Sequence, residues 1–173
     1  LNIKIDKKIK IHKFKELTKL LDKEIDLIVL GISSKGIEWV SEQLGKIYKN
    51  KKIPNLLMLT KGLSIHNNNY ELLVDKLKRL LADNGINKTD ISAVGGPCLA
   101  AGLANRVHSS VVIANENIQT AKKIADMLNT SYYHTSFSND LNGVEVSAAI
   151  KNIFSMAVGA AKGLCSKNIS SDV

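Results

Sequence analysis

The sequence predicts an α/β fold: a mostly parallel sheet covered by helices, followed by one long helix. Three observations predict it. Short apolar runs stopped by glycine alternate with stretches of helical periodicity. Three Gly- or Ser-bearing loops follow such runs, where a parallel sheet would gather them on one edge. After Asn142-Gly143 the chain turns alanine-rich and short of charge, in the manner of a long helix.

The elements follow in order. Ile25 to Leu30 is a short apolar run ended by Gly31, which reads as a buried strand. Gly36 to Tyr48 places Ile37, Val40, Leu44 and Ile47 at helical spacing. Leu56 to Leu59 is a second strand, entered from Pro54 and stopped by Lys61-Gly62. His66 to Asn69 is a turn. Leu72, Leu73, Lys76, Leu77, Leu80 and Leu81 form an amphipathic helix that closes near Asn84-Gly85. Ile91 to Val94 is a strand, Gly95-Gly96-Pro97 a turn, and Cys98 to Asn105 a helix of small residues. Ser110 to Ala114 is a strand, Ile118 to Leu128 a helix, and Ser131 to Phe137 a last, more polar strand. Strands separated by helix-sized links specify parallel neighbours.

Composition removes several function classes. The formal charge of +8 invites a nucleic-acid reading, since clustered basic residues attract phosphate. Of 24 basic residues, however, only Arg79 and Arg106 are arginine, and aromatic residues are 5%, too few for base-stacking platforms. The Lys, Asn and Ile excess fits codon bias in an AT-rich genome, so no nucleic-acid partner is expected. The basic stretch Lys4 to Lys23 is interleaved with apolar residues and reads as the solvated face of a half-buried segment. No run of eighteen uncharged apolar residues occurs, so no membrane span is expected. Two cysteines, Cys98 and Cys165, make neither a disulfide framework nor a zinc site, and a reduced, cytoplasmic setting is the default. His12, His66, His108 and His134 lack metal-ligand spacing, so no metal is assigned. Cys98 follows Pro97 at a helix start, where a thiol can be activated. No histidine is linked to it by a motif, and packing is the simpler role.

The loops Gly31-Ile32-Ser33-Ser34, Thr60-Lys61-Gly62 and Gly95-Gly96-Pro97-Cys98 together make an anion-binding rim. Each alone is ordinary turn chemistry. Beyond them, Val144 to Leu164 reads as one helix with a wide face of Val146, Ala149, Ile150, Ile153, Met156, Ala157, Ala160 and Ala161. Its narrow polar stripe carries Ser147, Lys151, Asn152, Ser155 and Gly159. On a helix built for burial, Lys151 would lose hydration, which disfavours its charged form and suits it to exchange a proton. The alternative is a lysine that snorkels to water or pairs with Glu145 or Asp140.

These residues resemble a known family. Gly143-Val-Glu-Val-Ser-Ala-Ala-Ile-Lys-Asn-Ile-Phe-Ser-Met-Ala-Val-Gly159 is similar to the lysine motif of the NAD(P)-dependent glycerol-3-phosphate dehydrogenases. Thr60-Lys61-Gly62-Leu63 resembles that family's TKGL segment, and Gly95-Gly96-Pro97-Cys98-Leu99-Ala100 its SGPSFA segment. Their order and approximate spacing agree with the family. The resemblance implies a partial Rossmann-like, NAD(P)-binding domain over residues 1–142 and the start of an all-α substrate domain over 143–173. It implies reversible reduction of dihydroxyacetone phosphate to sn-glycerol 3-phosphate, with NAD or NADP as cofactor. Lys151 is implied as the proton donor, with Asn152 beside it orienting substrate or lysine. Lys61 is implied to touch both cofactor and substrate, Gly96 and Cys98 the substrate, and Ala100 the cofactor. Ser33, on the first rim loop, is taken as a further cofactor contact.

Three departures qualify the resemblance. No G-x-G-x-x-G turn occurs in the chain, and the family places that turn ahead of Leu1. The family's later Asp and Arg-Asn residues lie beyond Val173. Gly102 stands where the family usually has Glu. The chain therefore reads as a central piece of the enzyme, inactive by itself. Two other readings stay open: a lysine-dependent hydroxyacid dehydrogenase of the 6-phosphogluconate type, and a non-catalytic remnant that only binds a partner. The 6-phosphogluconate type spaces its lysine and asparagine by a helical turn, whereas Lys151-Asn152 are adjacent. An apolar helix with unburied surface also allows self-association, with a homodimer as the form considered.

Overall fold

The computed structural model describes residues 6–169. Its elements are α1 (Leu17–Leu21), β1 (Leu27–Leu30), α2 (Ile37–Tyr48), β2 (Asn55–Met58), β3 (Leu63–His66), β4 (Asn69–Leu72), α3 (Leu73–Asp83), β5 (Ile91–Gly95), α4 (Ala100–Ala104), β6 (Ser109–Ala114), α5 (Ile118–Leu128), β7 (Tyr133–Ser138) and α6 (Leu141–Ile169). Five strands form one sheet in the order β1-β2-β5-β6-β7. The pairs β1–β2, β2–β5 and β6–β7 are parallel, and β5–β6 is antiparallel. The mostly parallel sheet expected from the alternation is present, with one reversal at its centre.

Helices cover both faces, as the near-continuous apolar strands require. Alternation within β2 divides the core: Leu56 and Met58 face one cluster, and Leu57 faces the other. The first cluster joins Ile37, Val40 and Leu44 of α2 to Leu73, Leu77 and Leu81 of α3 and to Leu141 of α6. The second joins Val111 and Ile113 of β6 to Ile124 and Ala125 of α5. Helix α3 closes through Gly85 at φ +87°, with Ile86 N–H donating to the Leu81 carbonyl at 2.8 Å. Asn117 caps α5 by accepting from the Gln119 N–H at 3.0 Å.

The structure adds or alters four features. The turn at His66 to Asn69 closes a hairpin, β3–β4, which the sequence reading left unassigned. Its two-residue loop, Asn67 and Asn68, has φ of 48° and 63°, the left-handed pair that suits a hairpin. Helix α6 begins at Leu141, ahead of the expected Val144, because Asp140 accepts from the Gly143 N–H at 2.8 Å and caps the first turn. Of the basic stretch, Lys4 lies outside the described residues, and residues 6–16 are exposed rather than half-buried. Phe14 of that stretch rests against Trp39, ring centroids 5.0 Å apart. Finally, Leu141–Cys165 is by length and composition apolar enough to cross a membrane, which the uninterrupted-run criterion missed because Glu145, Lys151 and Lys162 punctuate it.

Candidate active site

Strands β1, β2 and β5 are mutually parallel, so their following loops share one edge of the sheet. The Thr60 hydroxyl donates to the Ile32 carbonyl at 2.7 Å, and Lys61 Nζ donates to the Gly96 carbonyl at 3.3 Å. Those two bonds stitch the three rim loops together. Because β6 runs antiparallel to β5, its first residues also arrive at this edge.

Two glycines bring the backbone layers close. Gly96 has φ +131°, and a Cβ there would lie 2.8 Å from the Ser110 carbonyl oxygen and 2.9 Å from Val111 Cα. At Gly95 a Cβ would lie 2.7 Å from Val144 Cγ1, so α6 packs directly on the end of β5. Between these layers lies a cleft of ≈ 940 Å³. Lys61 and Gly96 line it from the rim, Cys98 and Gly102 from the α4 segment, and Ser147, Lys151 and Ser155 from α6. The three α6 residues recur every four positions and so lie on one helical face.

Of the residues singled out by sequence, Lys61, Gly96, Cys98 and Lys151 meet in this cleft. Ser33 sits on the same sheet edge, exposed, beside the Ile32 carbonyl that holds Thr60, and does not line the cleft. Ala100, the first residue of α4, and Asn152, one position past the cleft-facing lysine, are exposed and also outside the lining. Cys98 is half-buried and packs against the cluster of Leu57, Val111, Ile113, Ile124 and Ala125, the packing role favoured for it. Burial raises the Tyr133 hydroxyl above its usual range. At Gly102 an added Cβ would meet only Val107, at an ordinary 3.7 Å, so space does not dictate that glycine.

One expectation fails. Lys151 and every described side chain from it to Cys165 are exposed. Desolvation requires a covering surface, and no described residue supplies one beyond Ile150. Phe154 is 63% exposed and Met156 71%, so the apolar face of α6 lies open. Nor does Glu145 pair with Lys151, because it is buried against the start of α3, where its Oε1 accepts from the Val74 N–H at 3.3 Å. Burial pushes this carboxyl up to about 7. Sequence reasoning missed that placement; the only signal was an acidic residue on the apolar side of a helix.

A histidine pair was also missed. His108 Nδ1 and His134 Nε2 are 2.8 Å apart at the cleft's outer side, His108 lining it. The two are 26 positions apart in sequence and meet only through β6–β7 pairing. Among the described residues no group of three potential metal ligands occurs.

A helix-covered, mostly parallel sheet with its cleft at the carboxyl ends of the strands defines a Rossmann-like α/β domain. The family described as NAD-dependent glycerol-3-phosphate dehydrogenase N-terminus matches residues 2–121, and the chain belongs to that family. It is 36% identical over 137 residues to glycerol-3-phosphate dehydrogenase [NAD(P)+] of Rickettsia typhi, covering 79% of this chain and 40% of that protein. The namesake of Mesoplasma florum is 30% identical over the same shares. The fold matches glycerol-3-phosphate dehydrogenase of Coxiella burnetii with a TM-score of 0.64 at 23% identity, over 81% of this chain and 40% of that one. It matches the Saccharomyces cerevisiae enzyme with a TM-score of 0.69 at 20% identity, over 86% and 42%. The chain thus spans about 40% of the length of the relatives it matches.

Proposed function

We propose that the protein to which this chain belongs reduces dihydroxyacetone phosphate to sn-glycerol 3-phosphate with NADH or NADPH. One observation carries the reading: Lys61, Gly96 and Lys151 come from three distant parts of the sequence and line one cleft on the ligand-binding edge of the sheet. We assign residues 1–142 to the nucleotide-binding part and 143–173 to the start of the substrate part. A cytoplasmic setting and a homodimer belong to the same proposal.

The cleft fits the nicotinamide and substrate end of a bound cofactor, since its ≈ 940 Å³ lie between a lysine of the rim, Lys61, and a lysine of α6, Lys151. The pyrophosphate-binding turn is not among these residues. When bound, NAD(P)H supplies the hydride. Lys61, anchored on the Gly96 carbonyl, holds negative charge at the rim and touches both ligands. Lys151 gives a proton to the carbonyl oxygen as charge develops there, and takes it back in the reverse direction. Ser147 and Ser155, one turn to either side, offer hydroxyls that orient the substrate. Asn152 steers substrate or lysine, Cys98 borders the substrate, and Ser33 and Ala100 contact the cofactor.

The test is steady-state NADH and NADPH oxidation by the full-length protein. We expect NAD(P)H oxidation with dihydroxyacetone phosphate and, with 6-phosphogluconate as hydride donor, no reduction of NAD+ or NADP+. Turnover of 6-phosphogluconate alone would replace this reading with the hydroxyacid dehydrogenase one.

A further inference from the structure

Helix α3 has no cap of its own. Its N-cap position is Leu72, whose side chain cannot accept a hydrogen bond from the first turn. The acceptor arrives from 71 positions away: Glu145 Oε1 takes the Val74 N–H at 3.3 Å, and the Leu73 amide also bears on the same carboxyl. Glu145 is only 6% exposed, and its Oε2 is buried without a hydrogen-bond partner. A buried carboxylate with an orphaned oxygen is costly, so a favourable contact must hold it there. The orphan donors at the start of α3 and their positive dipole end supply that contact.

The connections of the two helices give this contact its consequence. Helix α3 follows directly from the β3–β4 hairpin, whose first strand begins two residues after Lys61. Helix α6 carries Lys151 six positions past Glu145. We propose that Glu145 is a positioning residue: by capping α3 from α6, it holds the Lys151 helix in register with the segment that carries Lys61. The assignment of those lysines rests on the functional reading above, whereas the cap does not. Asp75 and Lys78 of α3 are the charged groups facing this carboxyl, with opposite effects on its ionisation.

Three measurements test the proposal. In the 173-residue chain, the Val74 amide proton is followed by NMR from pH 5 to 9. It should titrate with a midpoint near 7, and the step should vanish in Glu145→Gln. Next, hydrogen exchange in the first two turns of α6 should quicken at least about tenfold in Glu145→Leu, which packs but cannot accept, and stay near wild type in Glu145→Gln. In the full-length protein, Glu145→Leu should lose at least about tenfold in turnover with the KM for NAD(P)H little changed, and Glu145→Gln should restore it. A Val74 amide that does not titrate, or unchanged α6 exchange in Glu145→Leu, overturns the cap. If the cap holds and Glu145→Leu keeps wild-type turnover, the positioning role is overturned. Should the wild-type protein not reduce dihydroxyacetone phosphate, the functional reading has failed, and the first two measurements still decide the cap.

Discussion

Two lysines line this cleft in different settings. Lys61 is tethered: its ammonium donates to the Gly96 carbonyl, so it reads as a fixed positive charge at the rim. Lys61→Ala should therefore weaken substrate and cofactor binding as well as rate, which NADH titration and KM values would register together. Gly96 serves by having no side chain. Gly96→Ala would force a Cβ to within 3 Å of β6 backbone at a positive φ, a backbone cost of roughly 1–3 kcal/mol before the collision is counted. Thermal unfolding of the 173-residue chain should show a lower midpoint, and a midpoint equal to wild type would mean that the two strands are not so closely packed. The sequence announced Gly96 and both lysines through their motifs. Glu145 was not legible, because an acidic residue in an apolar helix gives no sign of which distant amide it will meet.

At the scale of elements, α6 is the part that its own neighbours explain least. Its first turn is secured locally by Asp140 and its second by Glu145. Asp140→Ala should cost about 1 kcal/mol, as loss of an N-cap does. Chemical denaturation would reveal a cost near zero if the cap were not holding the helix start. Glu145 also sets a pH dependence whose sign can be worked out. Its carboxyl is raised in the folded chain from the ordinary 4.5 to about 7, so between those values the folded state binds the extra proton. That contribution favours folding at low pH and is lost as pH rises from about 4.5 through about 7, by about 3 kcal/mol at most. Glu71, held low by Arg79 at 2.9 and 3.0 Å, contributes with the opposite sign, its stabilisation being lost as pH falls. Glu145→Gln should thus be more stable than wild type at pH 8 and alike at pH 4, with equal gaps at both pH values counting against the assignment. The strong periodicities of α2, α3 and α5 made those helices legible from sequence. The β3–β4 hairpin was not, because Leu63 to His66 and Asn69 to Leu72 are short and lie half in solvent. Leu63 to His66 alternates over only four residues, with apolar Leu63 and Ile65 on the exposed side, and the exposure of Asn69 to Leu72 does not alternate, so neither gives the sign of a half-buried strand.

For the molecule as a whole, the mostly parallel, helix-covered sheet follows from rules that act on sequence: short apolar strands with helices between them and parallel neighbours. The reversal at β5–β6 was beyond those rules, because the segment Pro97 to His108 has the length of a crossover yet contains only the short α4. That reversal places His108 and Ser109 at the cleft. The exposure of α6 also sets a limit on what this chain does alone. With Lys151 solvated and no pyrophosphate-binding turn, residues 1–173 should bind NADH weakly and turn over no dihydroxyacetone phosphate. Fluorescence titration and a coupled assay on the purified chain would detect a contrary result.

The central claim is that Lys151 moves a proton, and one comparison tests it most directly. Turnover of dihydroxyacetone phosphate by the full-length protein is measured for wild type and for Lys151→Met, which keeps the aliphatic stem and removes the proton. Proton transfer by a positioned side chain contributes about 10²–10⁴-fold, so turnover should fall by at least about a hundredfold while NADH affinity stays close to wild type. A Lys151→Met enzyme with near wild-type turnover would make the lysine structural and contradict the mechanism.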